Sequence, residues 1–285
     1  MLGHKLYQVL GKSFEVTGTI RGTLGDISRY GFYKPREIIT GVDAMDLRSV
    51  EKAIDDARPD AAVNCIGIVR SLADKSGILR NIQLNAMFPH QLYDICRAKN
   101  VRLIHISTDC VFSGRKGNYS EADPADAEDI YGKTKFLGEV TGPGILTLRT
   151  SFIGRELSGA NGLLEWFITN RGKTVPGWVN AIYTGFTTLH LSRIIADIIE
   201  NHPELDSLYH VSSEPVSKHR LLSLINDAMK LNIKINKSPE PRLDRGLDSR
   251  RFREQTGFRP LPWTAMVREM AEDTQHYAEW RKNGL

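Results

Sequence analysis

The sequence predicts an α/β fold, with a doubly wound parallel sheet in the first half of the chain and a smaller α+β part after it. Two observations predict this fold. Short apolar runs alternate with segments of helical pattern through roughly the first 150 residues, as in sheets whose parallel strands are joined by crossover helices. The apolar runs also lack polar alternation, which is typical of strands buried on both faces.

The first half contains five predicted strands and three predicted helices. The strands cover residues 15–21, 37–40, 61–66, 101–107 and 144–149. The helices cover residues 47–57, 79–99 and 126–140. Pro89 marks a kink or break in the second helix, and Asp126 or Asp129 caps the third.

The pattern is looser after residue 150. Helices are predicted near residues 162–171, 190–201, 217–230 and 264–281, and short strands near 173–176, 208–211 and 233–235. We therefore divide the chain into a sheet-bearing domain, residues 1–150, and a cap, residues 151–285, from which some segments return to the first domain.

The start of the chain is unusual for a sheet of the Rossmann type, which opens with a strand and a glycine-rich turn. Here Gly3 leads directly into a helical pattern over residues 4–10. The expectation is that the first strand and most of the glycine-rich turn are missing from the sequence.

Composition excludes several classes of protein. The 285 residues carry a formal charge of +4 and a pI of about 8.9, which suits an anionic small molecule better than a nucleic acid polymer. Three scattered cysteines do not make a disulfide framework. The sequence shows no membrane span and no signal peptide, so the expected location is the cytoplasm.

Tyr131 and Lys135 are the first candidates for catalysis. Their spacing places both side chains on one face of the third helix, where an ammonium group favours phenolate and lowers the pKa of a tyrosine. Tyr131 is then a general acid for a carbonyl oxygen that accepts hydride. The spacing alone is weak, because Tyr30 and Lys34 share it, although Gly31 and Pro35 argue against a helix there.

Ser107 and Thr108 follow the fourth predicted strand. Ligands in open α/β sheets bind beyond the carboxyl ends of the strands, so a hydroxyl from this pair is expected to face a substrate carbonyl. The alternative is an ordinary Ser/Thr/Asp turn that ends at Gly114.

These motifs together resemble the dTDP-4-dehydrorhamnose reductase family of extended short-chain dehydrogenases/reductases. The resemblance lies in the run 107–112, the acidic loop 119–123, and the block 131–139 that contains Tyr131, Lys135 and Glu139. Residues 60–65 and 84–86 also match. The resemblance covers nearly the whole chain and is strong from about residue 60 to 155.

The resemblance implies a Rossmann domain that binds NADP(H) over residues 1–150 and a substrate-binding cap over 151–285. It implies that Thr108, Tyr131 and Lys135 form the catalytic set. Cofactor contacts are expected from Gly3, Arg21, Asn64, Cys65, Ile66, Gly67, Asn85, Tyr131 and Lys135. Substrate contacts are expected from Thr108, Asp109, Trp178 and Arg250, with Arg251 as an alternative to Arg250. Packing within the cap is an equal alternative for Trp178, and a solvated position for Arg250.

Arg21 favours NADPH over NADH. An acidic residue about 20 positions after the glycine turn would bind the ribose hydroxyl of NAD, and residues 19–23 contain none. An arginine at a strand end suits a 2′-phosphate. The resemblance further allows magnesium and a homodimer, while the histidine spacing predicts no metal site of the chain's own.

The implied reaction reduces the C4 ketone of a nucleotide-linked 4-keto-6-deoxyhexose during synthesis of polysaccharide precursors. Two alternatives stay open: an epimerase or dehydratase of nucleotide sugars with the same fold, and a non-catalytic regulatory subunit. Two departures from the family leave the sugar open: the loop 65–71, and Cys110 where an aromatic residue is usual. Cys65 and Cys110 are expected to be packed thiols rather than nucleophiles.

Overall fold

The computed structural model describes residues 1–282, and the side chains of residues 1–281. The α-helices are α1 (Leu2–Leu10), α2 (Leu24–Ser28), α3 (Leu47–Ala57), α4 (Arg70–Ser76), α5 (Ile78–Asn81), α6 (Phe88–Ala98), α7 (Ile130–Leu137), α8 (Leu163–Ile168), α9 (Thr188–Asn201), α10 (Lys218–Met229), α11 (Arg250–Thr256), α12 (Trp263–Asp273) and α13 (Tyr277–Lys282). The strands are β1 (Gly18–Thr19), β2 (Ile38–Ile39), β3 (Ala61–Asn64), β4 (Arg102–Ile106), β5 (Ile145–Arg149), β6 (Phe152–Ile153), β7 (Thr174–Trp178), β8 (Ala181–Tyr183), β9 (Phe186–Thr187), β10 (Ser207–His210), β11 (Val216–Ser217), β12 (Lys234–Ser238) and β13 (Leu243–Asp244).

Parallel strands form the centre of the molecule, which confirms the predicted fold class. Four of them lie in the order β10, β5, β4, β3, and every neighbouring pair is parallel. Strands β1 and β2 form a separate parallel pair. The expectation that a first strand is missing stays a prediction. β10 comes from the second half of the chain and pairs with β5.

The central strands are buried as their apolar runs predict. All five residues of β5 are buried, as are four of the five in β4. Helices α1 and α9 cover the sheet together, and their apolar faces belong to one core cluster. This burial holds the carboxyl ends of β4 and β5 in fixed positions, which matters for the residues that follow them.

Helix α3 has the predicted limits. The Asp46 side chain caps its start by accepting a hydrogen bond from the Arg48 amide, and Arg58 ends it in a left-handed conformation. The predicted helix 79–99 is instead three segments. Its irregular turn is a wide π-type turn over Ile82–Met87, and Pro89 lies in the first turn of α6, where a proline is tolerated.

The cap contains more strands than the sequence predicts. β7 and β12 pair in parallel near the predicted positions. The others, β6, β8, β9, β11 and β13, have only two or three residues each. Such short strands show no measurable periodicity in a sequence. Their positions depend on the strands with which they pair. Within residues 1–282, every helix is too short or too polar to span a bilayer.

Candidate active site

Thr108 lies just beyond the carboxyl end of β4 and begins a short 3₁₀ turn, Asp109–Val111. Its hydroxyl oxygen accepts a hydrogen bond from the Cys110 amide at 3.1 Å, and the hydroxyl donates to Asp109 at 3.2 Å. Both side chains are buried. Thr108 therefore has a fixed orientation at the edge of the sheet, and its contact with substrate stays a prediction.

Helix α7 packs closely against this turn. Of the two predicted caps, Asp129 is the one used, and it accepts a hydrogen bond from the Gly132 amide at 2.9 Å. Asp126 instead binds Ser113. A Cβ on Gly132 would overlap the Cys110 carbonyl oxygen and Ala127. Glycine at this position lets the helix approach the turn closely enough to place Tyr131 beside Thr108.

Tyr131 is half-buried in this contact. Desolvation raises the pKa of its phenol above the ordinary value of 10, and the neighbouring Cys110 and Asp109 raise it further. The Thr108 hydroxyl and the Arg70 guanidinium oppose part of this rise. The predicted lowering of the Tyr131 pKa by Lys135 is therefore wrong, because loss of hydration dominates. The phenol stays protonated at neutral pH, as a proton donor must.

Lys135 lies one helical turn after Tyr131 on α7 and is buried. Its Nζ donates a hydrogen bond to the Ile106 carbonyl oxygen, the last residue of β4, at 2.8 Å. Desolvation lowers the pKa of Lys135 to about 8, and the carboxylate of Glu139 opposes this shift. Glu139 is held by a bidentate, buried ion pair with Arg149. The ammonium is thus tied to the strand end and not to the tyrosine.

The loop after β3 lies next to the end of β4, because the two strands pair in parallel. Asn64 binds His105 at 3.1 Å and accepts a hydrogen bond from the Ile66 amide at 3.0 Å. Asn85, fully buried in the π-type turn, accepts from the Ile68 amide at 2.8 Å and donates to the Ile68 carbonyl at 3.2 Å. Asn85 therefore holds the loop in place from behind, while the exposed residues 65–67 face outward.

The start of α1 lies against this loop. Gly3 lies in the first turn of α1, and a Cβ there would be 3.7 Å from the Cys65 Cβ, so α1 begins against the loop. A cavity of about 280 Å³ lies between this helix start, Val69 and Glu156. Glu156 brings negative charge to this cavity, but its carboxylate already binds the amides of Asn161 and Gly162. A larger cavity, about 490 Å³, lies away from these groups beside α5.

Comparison with known proteins agrees with this arrangement. The model of the family described as RmlD substrate binding domain matches residues 1–276. This chain belongs to that family.

The three relatives described next are at most 33% identical to this chain over the aligned residues. A dTDP-4-keto-6-deoxy-D-glucose reductase of Streptomyces niveus is 33% identical over 112 residues, which is 38% of this chain and 39% of that protein. Methionine adenosyltransferase 2 subunit beta of Rattus norvegicus is 25% identical over 218 residues, or 70% of this chain and 64% of that protein. The solved dTDP-4-dehydrorhamnose reductase of Bacillus anthracis, in complex with NADP, is 19% identical and covers 91% of this chain and 99% of that chain with a TM-score of 0.74. That similarity shows a shared fold.

Arg21, Trp178 and Arg250 are predicted to contact the cofactor or the substrate of this RmlD-family chain. They are not part of the group formed by Thr108, Tyr131 and Lys135. Arg21 follows β1 and is exposed. Trp178 ends β7, is half-buried and stacks on Trp166 with ring centroids 5.9 Å apart. Arg250 is 80% exposed and bound to Asp248, and in the described residues it has no polar contact with the catalytic set. The structure therefore does not bring Arg250 to this site. Arg251 instead lies over the Tyr209 ring.

The structure adds three cations that sequence reasoning missed. Arg70, at the start of α4, binds Asp129 at 2.9 Å and approaches the Cys110 sulfur at 3.5 Å. Lys218 begins α10, with its Nζ 5.8 Å from the centre of the Trp178 ring. Arg245 donates a hydrogen bond to the Phe112 carbonyl at 2.7 Å. The residues around these three cations come from distant segments of the chain, so no local sequence pattern identifies the cations.

Of the two cysteines near the RmlD-family site, Cys110 is half-buried as expected of a packed thiol, whereas Cys65 is exposed and does not fit that expectation. Desolvation raises the pKa of Cys65 to about 12 and that of Cys110 to about 11. Both thiols are therefore protonated at neutral pH and are weak nucleophiles. No cluster of three or more histidine, cysteine or acidic side chains suited to a metal ion occurs in the described part of the chain, so magnesium gains no support.

Proposed function

We propose that this chain is an NADP(H)-dependent reductase that converts the C4 ketone of a nucleotide-linked 4-keto-6-deoxyhexose into an alcohol. One observation carries the proposal: a fixed threonine hydroxyl, a protonated tyrosine and a buried lysine meet at the carboxyl edge of a parallel sheet. The names of the Streptomyces and Bacillus relatives support the substrate class. We extend the proposal to synthesis of polysaccharide precursors.

Each residue has a separate task in the proposed reaction. The Thr108 hydroxyl, which donates to Asp109 in this structure, turns to donate its hydrogen bond to the ketone oxygen and so orients the ketone. NADPH, held by the first turn of α1 and the loop from Asn64 to Gly67, would supply the hydride that C4 accepts. As negative charge develops on the oxygen, the Tyr131 hydroxyl transfers its proton there, and the phenolate is later reprotonated from solvent. Lys135 keeps one donor on the Ile106 carbonyl oxygen and would hold the cofactor ribose with its remaining donors.

We also propose that residues 1–150 bind the cofactor and that residues 151–285 mainly bind the substrate. The first turn of α1 at Gly3 and the loop from Asn64 to Gly67 would hold the dinucleotide, with Asn85 supporting that loop. Arg21 lies at the end of β1 with its side chain exposed, a position that suits the 2′-phosphate of NADP(H).

The test is oxidation of NADPH in the presence of a panel of 4-keto-6-deoxy nucleotide sugars. A reductase consumes one NADPH for each sugar reduced. An epimerase or dehydratase changes the sugar without net consumption, and this result would replace the proposed function by that alternative. The rat relative favours the regulatory-subunit alternative, which predicts no NADPH loss with any sugar and co-purification with a partner enzyme.

A further inference from the structure

Two cations of the cap face the turn that follows β4. Lys218 is the first residue of α10, and Arg245 follows β13. Both are half-buried. Arg245 binds the Phe112 carbonyl oxygen, and Lys218 is close enough to Asp109 and Cys110 for their charges to act on it. The cap therefore places two positive groups beside the Thr108 turn and its buried carboxylate.

Most donor groups of these two cations have no protein partner. In the described residues, the Lys218 ammonium makes no hydrogen bond and no ion pair, and Arg245 uses only Nε. An ammonium offers three donors and a guanidinium five. Desolvation lowers the pKa of Lys218, so the group is partly removed from water without a compensating anion in contact. Half-buried cations with free donors favour an anionic ligand.

The charge around them is positive on balance. The groups that act on Lys218 are Asp109, Cys110, Arg245 and Arg70. The Cys110 thiol is protonated at neutral pH, and desolvation raises the pKa of Asp109. Arg70 adds a third positive charge, although Asp129 pairs with it. One carboxylate thus faces two cations that lack an ion-pair partner.

An aromatic wall stands next to the cations. The Lys218 Nζ lies 5.8 Å from the centre of the Trp178 ring, and Trp166 supports Trp178 by stacking. A stacked tryptophan beside Lys218 suits a ligand that joins phosphate groups to a planar base or a sugar ring.

We propose that Lys218 and Arg245 bind the diphosphate of a nucleoside-diphosphate substrate, with Trp178 as the wall of that subsite. This inference rests on the proposed function, because it places the substrate's phosphates within reach of the Thr108 turn. It also replaces Arg250 as the expected diphosphate ligand.

The experiment measures binding of dTDP, UDP and GDP by titration calorimetry in the presence of saturating NADP⁺, which keeps these probes out of the cofactor site. Lys218→Met and Arg245→Met are each expected to weaken binding of the preferred diphosphate by about tenfold or more. Arg242→Met is the matched control, since Arg242 is exposed and belongs to the same segment as Arg245. It should bind as the wild type does.

Lys218→Arg keeps the charge and should recover most of the affinity lost in Lys218→Met. The affinity for NADPH should be unchanged in all four variants, which separates the subsite from the cofactor site. Thermal unfolding should be unchanged in all but Arg245→Met, which also loses the hydrogen bond to the Phe112 carbonyl. Equal diphosphate binding by Lys218→Met, Arg245→Met and wild type overturns the inference, as does failure of the wild type to bind any of the three probes.

Failure of the proposed function is distinguishable from failure of this subsite. If no sugar supports NADPH oxidation but the two methionine variants lose diphosphate binding, the subsite stands and the reductase assignment falls. If both variants reduce a 4-keto sugar with wild-type KM, the subsite falls and the reductase assignment stands.

Discussion

Tyr131 shows how burial decides the chemistry of a single residue. Its spacing from Lys135 predicts a lowered pKa, but the Lys135 ammonium binds the Ile106 carbonyl and the phenol loses hydration. The resulting pKa is raised, which favours a proton donor over a proton acceptor. The proton can still pass to the ketone oxygen as hydride arrives, because an alkoxide is a stronger base than a phenolate.

Replacing Tyr131 by phenylalanine removes the proton and little else. We expect kcat for the ketone to fall by about 10²- to 10⁴-fold, the usual contribution of a general acid, while the affinity for NADPH stays near wild type. Tyr30→Phe is the matched control, because Tyr30 has the same spacing from Lys34 but lies outside any helix. Steady-state kinetics of both variants gives the comparison, and a Tyr131→Phe enzyme with normal kcat would remove the proposed acid.

Lys135 gives the reaction an expected dependence on pH. Desolvation lowers its pKa to about 8, so the ammonium is present below that pH and is lost as pH rises through it. We expect kcat/KM to fall above about pH 8, whereas an ordinary lysine would keep its charge to about pH 10. A profile that stays level to about pH 10 would contradict this assignment. Activity remaining in Lys135→Arg should lack the decline near pH 8, because arginine stays charged.

The segment from α5 to α6 contains a turn that the sequence pattern does not predict. The apolar pattern predicts a helix there, but not the widened turn at Ile82–Met87 that turns Asn85 toward the loop after β3. Widened turns of this kind occur often at functional sites. A Cβ on Gly138 would overlap the Asn85 carbonyl oxygen, so α7 and this turn are packed as one unit.

Asn85→Ala tests whether this turn positions the cofactor loop. Leaving both polar groups of Ile68 unpaired should cost about 1–3 kcal/mol of unfolding free energy. It should also weaken NADPH binding by about tenfold, or about 1.4 kcal/mol. Asn81→Ala is the control: Asn81 is equally buried and also binds backbone carbonyls, those of Ala73 and Gly77.

Urea unfolding and NADPH titration separate the two variants. Both should lose stability, and only Asn85→Ala should lose cofactor affinity. An equal loss of affinity in both variants would mean that the two asparagines act through general stability.

At the scale of the whole molecule, sequence reasoning succeeds where contacts are local or follow from strand burial. The strands β3, β4 and β5 lie where their apolar runs predict, and Thr108 meets Tyr131 because both lie near the carboxyl edge of the sheet. The cap is different, because β8 gains its place from β11 and β13, which are far away in the chain.

The same distance explains why the sequence does not single out Lys218 and Arg245. Lys218 and Arg245 are brought to the Phe112 turn by segments more than 100 residues away, so no spacing in the sequence marks them. The sequence around Arg250 suggests a contact with diphosphate. In the structure, its guanidinium forms an ion pair with the neighbouring Asp248 at the surface. Local patterns locate the proposed reacting groups here, and only the fold assembles the groups around them.

The central claim is that hydride and the Tyr131 proton reach the same carbonyl. NADPH deuterated at C4 of its nicotinamide, on each face in turn, tests it directly with a 4-keto-6-deoxy nucleotide sugar. The account predicts one deuterium at C4 of the product sugar from one of the two labelled cofactors, with one NADP⁺ formed for each sugar. Unlabelled product without net NADPH oxidation, or labelled product formed equally fast by Tyr131→Phe, would contradict it.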